Sequence, residues 1–229
     1  MTKKNNAKTA AIRGVLFDLD GTLLDTAPDM VGALNALRAE ERLGPVPYAI
    51  ARAHVSTGAI GLLKLAFPTH ADQDMHRLHQ RYLQIYADRL STETLPFPGI
   101  EELLVSLERS KLIWGVVTNK PASLTEPLLE ALKLLHRCAC VVSGDTLLER
   151  KPHPKPLLHA LAQAGIDSNT AIYIGDASRD IEAGKAAGVT TVAVTYGYIL
   201  PGDEPSDWGA DMVIAHPDEL LEYLLNGSR

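Results

Sequence analysis

Apolar positions along this chain fall into two rhythms, and the point where one gives way to the other divides it. The run Val15-Leu16-Phe17 is short, continuous and apolar, as in a strand buried on both faces. After Thr26 the spacing becomes helical, with Met30, Ala33, Leu34 and Leu37 on one face of a helix over residues 27–43. Pro28 sits in its first turn, where proline is tolerated. Helical patterns recur over 60–66 and over 75–90, the latter through Leu78, Tyr82, Ile85 and Tyr86. From Gly99 onward the two rhythms alternate. Helices are expected over 100–108, 123–134, 157–164, 180–187 and 218–225, and strands over 112–117, 139–142, 171–174, 190–194 and 212–214. Gly188 stands where a helix C-terminus favours glycine.

Alternation of this kind predicts an α/β fold, a Rossmann-like doubly wound parallel sheet with helices on both faces. A parallel crossover needs only a dozen or so residues and one helix. Several helices separate Asp25 from the next strand, so they form an inserted helical subdomain. The expected boundaries are 11–25 and 98–229 for the α/β core and 26–97 for the insertion, with Pro96-Phe97-Pro98-Gly99 as the return hinge.

Composition narrows the function classes. In 229 residues, 46% hydrophobic and 22% charged, there is ample material for a core. A formal net charge of −6 argues against a nucleic-acid partner, which calls for a basic patch or stripe. The opening Met1–Lys8 is polar and expected to fray; it lacks the apolar segment of a signal peptide, and no later run is long enough for a bilayer. A soluble, cytoplasmic chain without a membrane partner is the expectation, as a monomer or homodimer. Cys138 and Cys140, the only cysteines, read as small apolar residues of a buried strand rather than a redox pair.

Chemistry enters where the first strand runs out. Asp18 and Asp20 are two residues apart, so on an extended chain they share a face. Either acid alone is also an ordinary turn residue, but two like charges held side by side call for a cation or a shared proton. Gly21 then permits the chain to turn. Other predicted strands end at Thr118-Asn119 and Asp176, with Lys151 on a loop and Asp180 opening a helix. Singly, Thr118 reads as a helix cap, Lys151 as a solvated surface residue and Asp180 as a first-turn acid. Together, at the carboxyl edge of one sheet, they read as a metal-assisted reaction centre.

The string Phe17-Asp18-Leu19-Asp20-Gly21-Thr22-Leu23-Leu24-Asp25-Thr26 resembles motif I of the haloacid dehalogenase superfamily of phosphatases. Val116-Val117-Thr118-Asn119-Lys120 resembles motif II, Lys151-Pro152-His153-Pro154 motif III, and Gly175-Asp176-Ala177-Ser178-Arg179-Asp180 motif IV. The resemblance spans Arg13 to Leu225 and implies a role for each residue. Asp18 is the implied nucleophile, forming an aspartyl-phosphate; Asp20 is the acid and base. Thr118, the Asn119 backbone and Lys151 bind the phosphoryl group. Mg2+ is the implied cofactor, held by Asp18, the Asp20 carbonyl and Asp176, with Asp180 close by.

The insertion is similar to a C1-type cap. Within it, Arg52-Ala53-His54-Val55-Ser56-Thr57-Gly58-Ala59 combines a cation, an imidazole, hydroxyls and a glycine. Arg52, Thr57 and Gly58 are therefore candidate substrate contacts, with an inter-helix turn as the plain alternative. The expected partner is a small phosphorylated metabolite. The whole is most similar to the phosphoglycolate phosphatase family. The segments Leu112–Pro121, Val194–Ile199 and Trp208–Asp211 also resemble phosphatases of N-acetylmuramic acid 6-phosphate. A phosphomutase would share the core, but Thr22 is more typical of the phosphatases.

Overall fold

The computed structural model describes residues 11–69 and 71–226; the expected fraying of Met1–Lys8 lies outside them. The strand β1 (Gly14–Phe17) leads to a short β2 (Leu24–Asp25), then to four helices, α1 (Ala27–Glu40), α2 (Tyr48–Ala53), α3 (Gly58–Ala66) and α4 (Asp72–Ala87). The chain returns through β3 (Leu95–Pro96). It then alternates α5 (Ile100–Arg109), β4 (Ile113–Val117), α6 (Ala122–Ala131), β5 (Val141–Val142), α7 (Lys155–Ala164), β6 (Ala171–Gly175) and α8 (Ser178–Ala187). The strands β7 (Thr190–Val194) and β8 (Met212–Ile214) and the helix α9 (Pro217–Asn226) complete it.

Six parallel strands run in the order β5-β4-β1-β6-β7-β8, the doubly wound sheet expected from the alternation. Both faces are buried, which is why the strands read as unbroken apolar runs. Val15, Phe17, Val116, Ile172, Ile174, Val192 and Val194 pack into one apolar cluster. Their neighbours Leu16, Val117 and Tyr173 pack into the other, as period-two alternation requires. Strand order reverses at β1, which lies between β4 and β6, so the crevice for a ligand opens above β1. Register decides what reaches that crevice. Phe17 pairs with Val116 on one side and Ile174 on the other, so Asp18, Thr118 and Asp176 leave the sheet at nearly the same level.

Entry to and exit from the helical insertion are tied together: β2 and β3 pair antiparallel, Leu24 with Pro96 and Asp25 with Leu95. A buried carboxylate seals the joint. Asp29, in the first turn of α1, accepts from the backbone N–H of Glu93 and Thr94 and from the Thr94 hydroxyl at 2.8–3.1 Å. Within the insertion α1 packs along α4, burying Leu34, Leu37, Leu78 and Tyr82.

Several boundaries differ from those read in the sequence. Helix α1 stops at Glu40, and Arg42 adopts a left-handed φ of 59° that ends it. The stretch from Arg52 to Ala59 is not a loop; it holds the end of α2, one 3-10 turn and the start of α3. The expected strand over 139–142 shrinks to Val141–Val142, although Ala139 N–H and the Cys140 carbonyl still bond β4. Cys138 and Cys140 therefore both precede the strand instead of lying in it, and both are free. Burial pushes both thiols up to about 11, far from thiolate chemistry. Among the described residues no helix is long and apolar enough to cross a membrane.

The Asp29 joint yields a stability prediction. Replacing Asp29 by Ala leaves buried N–H groups of the return segment unsatisfied, so unfolding in urea should show a loss of about 3 kcal/mol. A loss below about 0.5 kcal/mol, the usual range for a surface substitution, would contradict a structural role for this carboxylate.

Candidate active site

Three carboxylates and one ammonium form the floor of the crevice. Lys151 Nζ lies 2.8 Å from Asp18 Oδ1 and 2.8 Å from Asp180 Oδ1, with all three side chains almost wholly buried. It also donates to the Val117 carbonyl, and it lies 2.8 Å from the Tyr173 hydroxyl. Asn119 holds the Lys151 backbone by a reciprocal pair, accepting from its N–H at 3.1 Å and donating to its carbonyl at 3.0 Å. The Asn119 side chain is thus spent on positioning the lysine, and its neighbour Thr118 presents a buried hydroxyl to the cavity.

Asp176 completes the group. One carboxylate oxygen each from Asp18, Asp176 and Asp180 lies within 4.8 Å of the others. Asp176 Oδ2 accepts from Ser56 Oγ at 2.6 Å and from Tyr198 N–H at 2.9 Å, while its buried Oδ1 has no partner. Burial, with Asp18 and Asp180 beside it, pushes the Asp176 carboxyl up to about 7. Burial likewise raises Asp18, against the pull of Lys151. An orphaned buried oxygen among hard oxygen donors, in a site this rich in acid, suits a small divalent cation such as Mg2+. Close packing explains the glycine that follows Asp20. Gly21 has φ +88°, and a Cβ there would meet Asp176 Oδ2 at 2.0 Å.

Asp20 stands apart from the three buried acids. Its Oδ1 accepts from Thr26 Oγ1 at 2.7 Å and from Lys120 Nζ at 2.9 Å. Lys120 in turn donates to the Tyr86 hydroxyl of α4 at 2.8 Å. This buried lysine was only part of a motif in the sequence reading. Nothing in the sequence paired it with Asp20, 100 positions away. Both contacts fall on Oδ1, so Oδ2 of Asp20 is without a partner among the described residues.

The insertion supplies the roof. Val55, Ser56, Gly58, Tyr82 and Tyr86 face Asp18, Asp20 and Thr118 across a cavity of about 120 Å3. Of the three candidates from the insertion, Gly58 lines this cavity and Thr57 an adjoining one. Arg52 lines neither. Its guanidinium donates to the carbonyls of Gly197 and Tyr196 and lies 4.9 Å over the Tyr198 ring. It fastens the insertion to the loop after β7. Ser56 and Arg179, quoted in the sequence reading without a role, also line the first cavity.

Comparison with known proteins agrees with this geometry. The family model for haloacid dehalogenase-like hydrolases matches residues 15–194. The chain is 44% identical over 218 residues to the N-acetylmuramic acid 6-phosphate phosphatase of Pseudomonas aeruginosa, covering 95% of this chain and 96% of the relative. It is also 44% identical over 211 residues to the phosphoglycolate phosphatase of Xanthomonas campestris pv. campestris, covering 92% and 95%. Its fold matches the crystal structure of "a predicted phosphoglycolate phosphatase" from Haemophilus somnus with a TM-score of 0.83 at 24% identity, over 92% of this chain and 97% of that one. With most of its length matched and its sheet edge carrying the motif residues, the chain belongs to the haloacid dehalogenase-like hydrolase family.

Proposed function

We propose that this protein is a magnesium-dependent phosphatase that hydrolyses a small phosphomonoester through an aspartyl-phosphate on Asp18. The observation that carries this reading is the placement of Asp18, with Lys151 at 2.8 Å and two further carboxylates within ligand-sharing distance, on a cavity that also holds Asp20. The names of its relatives narrow the substrate to an acid: a phosphorylated hydroxy acid or a phosphorylated amino-sugar acid.

Both contacts on Asp18 fall on Oδ1, from Leu19 N–H and Lys151, leaving Oδ2 as the attacking atom. As the Asp18 Oδ2–phosphorus bond forms, the bond from phosphorus to the leaving oxygen breaks, and Asp20 Oδ2 gives that oxygen its proton. Asp20 then takes a proton from the water that attacks phosphorus, the Asp18–phosphorus bond breaks, and inorganic phosphate leaves. Thr118 Oγ1 and the Asn119 N–H bind the equatorial oxygens, and Lys151 offsets the negative charge of Asp18. Asp18, Asp176, Asp180 and the Asp20 carbonyl are the residues that would hold Mg2+. When bound, the ion supplies the positive charge that lets a carboxylate approach an anionic phosphate. Residues 26–97 act as a cap that excludes bulk water, swinging on the β2–β3 ribbon.

Replacement of Asp18 by Asn removes the nucleophile in an isosteric way. Phosphate release should fall by at least ~10³-fold with the circular dichroism spectrum unchanged. Turnover within tenfold of wild type would refute the assignment. The same assay over phosphoglycolate, N-acetylmuramic acid 6-phosphate and neutral sugar phosphates identifies the substrate.

Asp20 is tested by leaving-group dependence. Asp20→Asn should slow hydrolysis of alkyl phosphates by roughly 10²–10⁴-fold, the usual span for a general acid. The first step with p-nitrophenyl phosphate, whose leaving group needs no proton, should suffer less; equal losses would point to a purely structural Asp20.

The metal assignment has a readout independent of activity. Because the folded pKa of Asp176 is raised from 3.8 to about 7, the metal-free fold favours its protonated form. That contribution is complete below the ordinary value and is lost as pH rises through about 7. Magnesium binds the ionised form, so the rise in Tm on adding it should be larger at about pH 8 than at about pH 5. An equal or reversed dependence would remove Asp176 from the metal site.

A further inference from the structure

Beside the reaction cavity lies a second chamber, about 420 Å3 in volume. The two share a wall that includes Ser56, Gly58, Leu83, Asn119 and Arg179. Their chemistry differs sharply. The inner cavity holds Asp18 and Asp20, whereas no described residue lining the outer chamber is acidic. Its charged groups are Arg150 and Arg179, joined by His79 of α4. Burial, reinforced by His76, holds His79 below its ordinary value.

In a chain with 28 acidic and 22 basic residues, a wall with two arginines and no acid selects for anions. Arg150 is also unspent. Arg52, Arg77, Arg81 and Arg137 are all committed to carbonyls or carboxylates. The exposed Arg150 side chain has no hydrogen bond or ion pair among the described residues, whereas the half-buried Arg179 lies in the field of Asp180, Asp18 and Asp176. A guanidinium's planar fork matches a carboxylate. Arg179 borders both chambers, but Arg150 borders the outer one alone. The outer chamber also falls in the size range of pockets for drug-sized ligands, well beyond what a two-carbon acid fills.

We propose that the outer chamber recognises a carboxylate on the alcohol portion of the substrate, remote from the phosphate, with Arg150 as the specificity-determining residue and Arg179 and His79 beside it. The substrate class is then the monophosphate of a sugar-sized acid. This rests on the phosphatase reading above, with the phosphate held over Asp18.

The test is a matched pair of substrates, N-acetylmuramic acid 6-phosphate and N-acetylglucosamine 6-phosphate, which differ by the carboxylate-bearing ether alone. Wild-type kcat/KM should favour the acid by at least ~10-fold. In Arg150→Ala the acid-to-neutral ratio should fall by about tenfold, through KM on the acid, with Arg150→Lys recovering part of it. Equal wild-type kcat/KM on the pair, or an Arg150→Ala loss shared equally by both, overturns the inference. Turnover of p-nitrophenyl phosphate by the wild type in magnesium reports on the phosphatase reading separately. Without it both fall, and with it a flat acid-to-neutral ratio sinks the carboxylate site alone.

Discussion

One ammonium holds the floor of this site together. Lys151 Nζ lies between Asp18 and Asp180, and all three side chains are nearly inaccessible to water. Without it, three carboxylates within 4.8 Å would stand in a low-dielectric crevice with no opposing charge at contact distance. Much of the local architecture follows from that constraint. Asn119 clamps the lysine backbone from the end of β4, Tyr173 of β6 meets its Nζ, and the Asp180 carboxylate turns back to the N–H of Ala177 at the start of α8. Burial first, and then the neighbouring Asp18 and Asp180, raise the Asp176 carboxyl, whose Oδ1 has no partner among the described residues. An orphaned oxygen among these carboxylates suits a divalent cation.

The sheet and its edge were legible because strands buried on both faces leave unbroken apolar runs, and each chemically marked residue sits directly after such a run. Asp18 follows Val15–Phe17, Thr118 follows Val116-Val117, and Asp176 follows Ile172–Gly175. Strand register then does the rest, and register is a consequence of the same apolar pattern. What the sequence concealed were contacts between residues far apart in the chain. Arg52 sits in a polar stretch of the insertion, and nothing local in the chain points to the carbonyls of Tyr196 and Gly197 that it meets. Lys120 passed as a neighbour of Thr118, yet its ammonium reaches Asp20 in one direction and Tyr86 in the other. The helix α2 went unseen because Tyr48–Ala53 is short and buries only Ala51, too little to set up a visible periodicity.

These long-range bonds connect insertion and core at the proposed proton donor. Asp20 Oδ1 accepts from Thr26, at the entrance to α1, and from Lys120, which is hydrogen bonded to Tyr86 on α4. Ser56 reaches Asp176 on the other side of the cavity. Movement of the insertion therefore cannot leave the acids untouched, since the bonds from Thr26 to Asp20, from Lys120 to Tyr86 and from Ser56 to Asp176 cross from one to the other.

The paired strands β2 and β3 carry one further consequence. They put the two crossings between sheet and insertion side by side, Leu24 against Pro96 and Asp25 against Leu95. A polypeptide grafted between neighbouring ends need not thread through the sheet or alter its strand order, so roofs of different shape can be exchanged above an unchanged floor. The graft is not free of obligations. Tyr198, on the loop after β7, donates to Asp25 and accepts from the N–H of Ala27, so a replacement roof must still fit that tyrosine at the joint.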